Sequence, residues 1–81
     1  MLKTLGTRQH EELIVILIAY REAAGLTQTQ LANKLGEYQS FVARLESGQR
    51  RVDVIEFLTL SRILNFKATQ VIHQLEKIGA N

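Results

Sequence analysis

The clearest structural signal in the chain is the stretch "LTQTQLANKLGEYQSFVARLESGQRR", which runs from Leu26 to Arg51. Its apolar residues recur at helical spacing on both sides of Gly36, while amide, hydroxyl and guanidinium side chains occupy the positions between them. Glycine readily adopts a left-handed backbone conformation that other residues find strained. The stretch therefore predicts two short helices joined by a tight turn at Gly36.

Both of these helices have recognisable ends. The first begins with a Thr-x-x-Gln capping box, in which Thr27 is the N-cap and Gln30 follows three residues later. Gly36 closes it, and the second helix is expected over about Gln39 to Glu46. Two short helices that cross in this way leave the second one on the surface, propped by the first. The expected buried residues of the pair are Leu31, Ala32, Leu35, Val42 and Leu45.

Three further helices are expected around this pair, which makes the predicted fold all-α with five helices. They are expected over about Arg8 to Ala24, from an Asp53–Glu56 capping box through Leu64 with Asn65 as a left-handed cap, and over about Ala68 to Ile78. The residues expected to face the core from helices one and four are Leu13, Leu17, Tyr20, Ala24, Phe57, Leu60, Ile63 and Leu64.

Length and composition limit the possible classes of protein. The 81 residues, 46% of them hydrophobic, suffice for one small core, so a single domain is expected over residues 8–78, with flexible ends at residues 1–7 and 79–81. The chain has no Cys, which excludes disulfides, zinc–thiolate sites and a cysteine nucleophile. The longest apolar run, Leu13 to Tyr20, is far shorter than the ~20 residues that span a bilayer. No export signal is recognisable, so a cytoplasmic location is expected.

The outward face of the second helix carries side chains that suit DNA. When Val42 and Leu45 point inward, Gln39, Ser40 and Arg44 point outward. A glutamine amide pairs bidentately with adenine, an arginine pairs with guanine, and a protruding helix fits the major groove. These residues are therefore candidate base readers, with the ordinary solvated helix face as the alternative.

Other polar residues are placed to meet a phosphate backbone. Gln28 lies in the first turn of its helix, where free backbone N–H groups favour an anion. Arg50 and Arg51 follow the surface helix, although both can equally serve solubility. The net charge of the whole chain is only +2, which by itself is weak evidence for a nucleic-acid partner.

The segments "LIAYREAAGLTQTQLANKLG" and "QSFVARLESG", followed by "RRVDVIEFLTLSRIL", resemble the phage-repressor/Cro-like helix-turn-helix family, also called the xenobiotic-response-element (XRE) family. The resemblance covers roughly residues 13–75 and implies a lambda-repressor-like fold. It further implies a structural salt bridge between Arg21 and Glu46 and a phosphate contact by Gln28. The base-reading positions that it implies are Gln39, Ser40, Phe41 and Arg44.

Two residues after the turn depart from the family pattern. Where the family has an apolar residue followed by Ser, Thr or Pro, this chain has Glu37 and Tyr38. A carboxylate at position 37 repels a phosphate strand unless it points away. Tyr38 lacks the short hydroxyl of a good N-cap, but its phenol has the length to reach a phosphate, so we count it among the phosphate-binding candidates.

The first helix has more apolar surface than its core stripe requires. Ile14, Val15 and Ile18 widen the arc; either Leu2 and Leu5 fold over them, or they form a subunit interface. The candidate interface residues are Ile14, Ile18, Val71, Ile72 and Leu75. His10 and His73 lie far apart in the sequence and are expected at the surface.

These observations lead to two functional hypotheses. The first is a sequence-specific DNA-binding transcriptional regulator, repressor-like and homodimeric, with residues 39–46 in the major groove of double-stranded DNA. The second is a protein-interaction module, such as an antitoxin or a regulatory partner with a Cro-like fold. No nucleophile–base set is present, so we expect neither an enzyme nor a cofactor, metal or small-molecule substrate.

Overall fold

Five helices make up the part of the chain, residues 4–79, that a computed structural model describes. The predicted all-α class is confirmed, and each helix boundary lies within one residue of its expected position. The expectations for residues 1–3, including the packing of Leu2, and for residues 80–81 lie outside the described residues. The helices are α1 Arg8–Ala23, α2 Gln28–Leu35, α3 Gln39–Glu46, α4 Val54–Leu64 and α5 Ala68–Ile78.

Local hydrogen bonds explain why the helices begin where they do. In the capping box of α2, the Gln30 backbone N–H donates to Thr27 Oγ1 at 3.1 Å, and the Thr27 N–H donates to Gln30 Oε1 at 2.8 Å. Asp53 and Glu56 form the equivalent pair at the start of α4, with distances of 2.7 and 3.1 Å. Both predicted boxes therefore satisfy backbone donors that would otherwise lack partners.

The turn between α2 and α3 depends on a left-handed residue. Gly36 has a φ of +71° and ends α2, as the sequence predicted. Ala32, one turn earlier, is only 1% exposed, because its small side chain lets α3 pack closely on α2. This pair of helices is the helix-turn-helix unit of the fold.

A single core joins all five helices. Each buried aliphatic side chain contributes about 1.5–3 kcal/mol relative to exposure, so this cluster is the main source of stability. Its central residue on α3, Val42, is fully buried. The cluster consists of Leu17, Leu31, Ala32, Val42, Leu45, Phe57, Leu60, Leu64 and Val71.

Most of the expected stripe of α1 faces the core, because Leu17 belongs to the buried cluster and Leu13 and Tyr20 pack against it. The buried residues are His10, Ile14 and Leu17, whereas Leu13 and Tyr20 are half-buried and Ala24 is exposed. Three of the four residues expected to face the core from α1 therefore do so, Ala24 does not, and the apolar pattern gave no sign that His10 is buried. The expectation of a surface position for His10 is wrong; its side chain is 5% exposed.

Burial also corrects the expected subunit interface. Ile14 is 7% exposed and Val71 is fully buried within the chain, so neither side chain has surface left for a partner. Ile18 and Leu75 are half-buried, and Ile72 is 48% exposed. Among residues 4–79, no helix combines the length and the apolar character that crossing a membrane requires.

Candidate nucleic-acid interface

The surface helix α3 presents a polar face to solvent. Its inward residues Val42 and Leu45 are buried, and its outward residues Gln39, Ser40 and Arg44 are exposed. The helix has eight residues, about two turns, so an isolated peptide of this length would not remain helical in water. Contacts with the neighbouring elements must therefore hold it in place.

One of these contacts is an ion pair at the end of α3. The Nε atom of Arg21 donates to Glu46 Oε2 at 2.6 Å, and its Nη2 atom donates to Glu46 Oε1 at 3.0 Å. A third bond runs from Arg21 Nη1 to the carbonyl of Leu26 at 2.8 Å. The hydrogen bond with Glu46 raises the pKa of Arg21 above its usual value, so the guanidinium stays charged. The ion pair expected between these two residues is thus present, and it fastens α3 to α1.

Gln28 extends this pair toward the exposed face. Its Nε2 donates to Glu46 Oε1 at 3.0 Å, and its Oε1 accepts from Gln39 Nε2 at 2.8 Å. The bond to Gln28 fixes the direction of the Gln39 amide. Gln39 keeps one N–H and its carbonyl oxygen for another partner, because an amide group has two N–H donors. A donor next to an acceptor in one plane is the pattern that matches the major-groove edge of adenine.

A second cluster braces α3 against α4. The guanidinium carbon of Arg50 lies 4.2 Å from the centre of the Phe41 ring. Its Nη1 and Nη2 atoms donate to Glu56 Oε1 and Oε2 at 3.1 and 3.0 Å. Both Phe41 and Arg50 therefore have partners within the chain that sequence reasoning missed. The aromatic and arginine residue types alone were a weak signal, since the contact joins residues from different elements.

The charges around α3 divide into paired and exposed groups. The carboxylates of Glu46 and Glu56 are each engaged by an arginine, which neutralises two negative charges beside the polar face. Arg44 and Arg51 are exposed. Glu37 is also exposed, at the turn before α3, and it is the acidic residue that a nearby anion would meet. Apart from that carboxylate, the arrangement favours a polyanion.

The start of α3 lacks the usual cap. Tyr38 occupies the N-cap position with an extended backbone, and its side chain accepts no hydrogen bond from the first turn. It is 83% exposed, so its phenol projects into solvent beside the polar face. Within residues 4–79, no three His, Cys, Asp or Glu side chains gather in a way that would hold a metal ion.

Comparison with known proteins shows which family and which solved structures the chain resembles. A helix-turn-helix family model matches residues 17–71. The chain is similar to an XRE-family-like protein from Pseudomonas syringae pv. tomato str. DC3000, with 38% identity over 88% of this chain and 87% of that one, and a TM-score of 0.79. It is also similar to the restriction-modification controller protein C.AhdI from Aeromonas hydrophila, with 31% identity over 76% of this chain and 90% of that one, and a TM-score of 0.69.

A more distant likeness shows the fold alone. The clp gene regulator ClgR from C. glutamicum shares 21% identity, covering 89% of this chain and 94% of that one, with a TM-score of 0.73. A comparison of the sequence with curated proteins gives no match.

Proposed function

The chain belongs to the XRE-type helix-turn-helix family of DNA-binding regulators, and we propose that it recognises a specific duplex sequence and acts as a repressor-like regulator of transcription. In this proposal α3 lies in the major groove of double-stranded DNA. The activity is binding without catalysis and needs no cofactor. The proposed site of action is the cytoplasm, in line with the expectation from the sequence.

The hydrogen bond between Gln28 and Gln39 is the observation that best supports base reading. A side chain that is oriented before binding loses less conformational entropy when it pairs with a base. The Gln39 amide is held in this way, with one donor and one acceptor left for an adenine edge. Arg44, which is exposed one turn beyond Ser40, offers the fork that pairs with guanine. The proposed base-contacting residues are Gln39, Ser40, Phe41 and Arg44.

Phosphate contacts would set the register of α3 in the groove. Gln28 begins α2, and its side chain has one N–H beyond the bond to Glu46. Arg51 follows α3 and is exposed, while the Tyr38 phenol projects beside the start of the helix. The proposed phosphate-binding residues are Gln28, Tyr38, Arg50 and Arg51. Arg50 already donates two N–H groups to Glu56, so it would contact a phosphate with its remaining N–H groups.

A homodimer fits this mode of binding. Two copies of α3 related by a two-fold axis would read half-sites about one helical turn, ~34 Å, apart. The long dimension of the described domain is 33 Å, so neighbouring domains can lie side by side over that spacing. A palindromic binding site is therefore expected.

Selection from random duplexes, followed by competition binding, tests the proposal. Arg44→Ala should reduce the preference for the selected site by about 5- to 150-fold, because a bidentate base contact contributes about 1–3 kcal/mol of discrimination. Gln28→Ala should weaken binding to all sequences through the lost phosphate contact and, because it also frees the Gln39 amide, should reduce part of the preference for the selected site. Arg62→Ala, which removes an exposed charge on α4, is the matched control and should change neither.

Two results would contradict the proposal. If the Arg44→Ala variant kept the wild-type sequence preference, the assignment of α3 as the base-reading helix would be wrong. Binding that does not fall with rising salt would exclude phosphate neutralisation and would favour the protein-interaction module instead, since each contacted phosphate gives a slope of about −0.9.

A further inference from the structure

A cavity between α3 and α4 has no part in the DNA binding proposed above. Its volume is about 220 Å³. Its apolar wall includes Phe41 and Leu45 from α3, and Ile55 and Leu60 from α4. Leu45 and Leu60 belong to the core, whereas Ile55 is 69% exposed, so the cavity leads from the core to the solvent. We call it the α3–α4 cavity.

The rim of the α3–α4 cavity is acidic. Three carboxylates, those of Glu37, Asp53 and Glu56, line it together with a single guanidinium, that of Arg50. Arg50 is engaged in the ion pair with Glu56. Among residues 4–79, neither Glu37 nor Asp53 has an ion-pair partner. The cavity therefore carries two negative charges that no cation of the described chain balances.

The wall of the cavity already accepts one positive group from the chain itself. The guanidinium carbon of Arg50 lies 4.2 Å from the centre of the Phe41 ring, and both oxygens of Glu56 accept its N–H groups. The negative face of an aromatic ring attracts a cation, and the attraction grows when water is excluded. An aromatic ring beside carboxylates thus defines the chemistry of this cavity, and Glu37 and Asp53 leave room for a second cation.

We propose that the α3–α4 cavity binds a small organic cation, an amine with a short apolar body. The ammonium group pairs with the carboxylates of Glu37 and Asp53, and the apolar body contacts Ile55 and Leu60. Pockets for drug-sized ligands have volumes of about 300–1,000 Å³, so a volume of 220 Å³ selects a smaller molecule. A ligand with so few atoms binds weakly, and we expect a Kd on the order of 1 mM.

An amine in the cavity should also strengthen the binding of DNA. Glu37 is exposed at the turn before α3, where its carboxylate repels a polyanion. An ammonium group paired with that carboxylate cancels the repulsion. Two unit charges ~4 Å apart in water shift an equilibrium by about fivefold, which sets the upper limit of the effect. DNA should raise the affinity for the amine by the same factor. This coupling rests on the proposed function, whereas the site does not.

An NMR titration of the full isotope-labelled chain with phenethylamine tests the site without DNA. This probe carries an ammonium group on a short apolar body. The backbone signals of Phe41, Ile55 and Thr59, which line the cavity, should shift and saturate. Phenethyl alcohol and phenylpropionate supply similar bodies without charge and with the opposite charge. Both should bind about tenfold more weakly, because neither pairs with the two carboxylates.

Two matched variants locate the binding site. Glu37→Gln keeps the size of the side chain and removes its charge, so it should weaken phenethylamine binding by about fivefold. Glu12→Gln makes the same change at an exposed residue of α1 outside the cavity and should leave the Kd unchanged. The proposed site is wrong if the shifted signals lie elsewhere, if the alcohol binds as tightly as the amine, or if the two variants behave alike.

Mobility-shift titrations at fixed ionic strength measure the coupling. Saturating phenethylamine should raise the affinity of the wild-type chain for its selected duplex, and Glu37→Gln should have the raised affinity without the amine and not respond to it. If the amine fills the cavity and wild-type affinity for DNA stays the same, the coupling is wrong. A chain that binds the amine in the cavity but binds no duplex would contradict the proposed function and leave the site supported.

Discussion

Arg21 and Glu46, 25 residues apart in the sequence, meet in a two-pronged ion pair with N–O distances of 2.6 and 3.0 Å. Their side chains are 13% and 6% exposed, so water screens the pair only weakly. Glu46 also accepts from Gln28, which in turn accepts from Gln39. A pair that stabilises the fold is thus connected, through one amide, to a residue on the exposed face of α3.

Removing one member of this pair should destabilise the protein strongly. We expect Glu46→Ala to lower the free energy of unfolding by about 3–5 kcal/mol, because it leaves a buried guanidinium without its counter-charge. Urea denaturation measures the change. The double variant Arg21→Met, Glu46→Leu should recover most of the loss, since no charge is then left buried. A loss below ~1 kcal/mol in the single variant would show that solvent replaces the pair.

The same pair should make no pH-dependent contribution through Arg21 near neutrality. Its pKa is raised, mainly by the hydrogen bond with Glu46. A basic group with a raised pKa stabilises the fold at every pH below its unfolded pKa and loses this effect only as the pH rises through the folded value. Both values lie at the alkaline extreme for arginine. Thermal denaturation of wild type and Arg21→Met should therefore show a constant difference from neutral to moderately alkaline pH.

The missing caps at Tyr38 and Lys67 give a matched pair of variants. Both residues occupy N-cap positions with extended backbones and make no side-chain capping bond. Tyr38→Ser and Lys67→Ser should each raise the free energy of unfolding by about 0.5–1 kcal/mol. If the Tyr38 phenol contacts a phosphate, Tyr38→Ser should also weaken DNA binding, whereas Lys67→Ser should not. Equal affinities in a mobility-shift titration would remove Tyr38 from the interface.

Arg50 and Arg51 should respond differently to alanine, although they are neighbours. Arg50→Ala removes a contact with the Phe41 ring and two bonds to Glu56, so we expect a loss of about 1–2 kcal/mol in stability. Arg51→Ala should leave stability unchanged and reduce the salt dependence of DNA binding by about one unit of slope. An Arg51→Ala variant with the wild-type slope would place Arg51 away from the DNA.

His10 should be a site where an apolar residue stabilises the fold. The residue is 5% exposed, and its Nε2 atom is buried and has no hydrogen-bond partner among residues 4–79. Leaving a buried polar group unsatisfied costs about 1–3 kcal/mol, so we expect His10→Leu to raise the free energy of unfolding by about 1 kcal/mol. The control His73→Leu alters an exposed residue and should change little. A destabilised His10→Leu variant would mean that the ring makes contacts that leucine cannot replace.

Local features of the fold were predictable from the sequence. The capping boxes at Thr27 and Asp53 form as expected, because each depends on residues only three positions apart. Asn65 adopts the left-handed conformation expected of it, with a φ of 59°. The helix boundaries follow from such short-range signals, which tertiary packing seldom overrides when caps and turns agree.

Features that depend on packing between elements were not predictable from helical periodicity, and the Arg21–Glu46 pair between α1 and α3 was expected only from the family resemblance. The sequence suggested surface positions for Ile14 and Val71 at an interface, yet the bundle encloses both. It also gave no sign that Arg50 lies over Phe41, since that contact depends on how the segment before α4 returns toward α3. Helical periodicity defines which residues share a face, but not which face the neighbouring helices cover.

The way α3 is held has a mechanical consequence. A helix of two turns is not stable on its own, so its position depends on contacts at its two ends. Glu46 ties one end to α1 through Arg21, and Phe41 ties the other end to α4 through Arg50. Both ends of α3 are therefore held against the rest of the domain. A substitution that weakens either contact should reduce the difference in affinity between specific and non-specific DNA before it abolishes binding. We expect this even where every residue that faces the groove is unchanged.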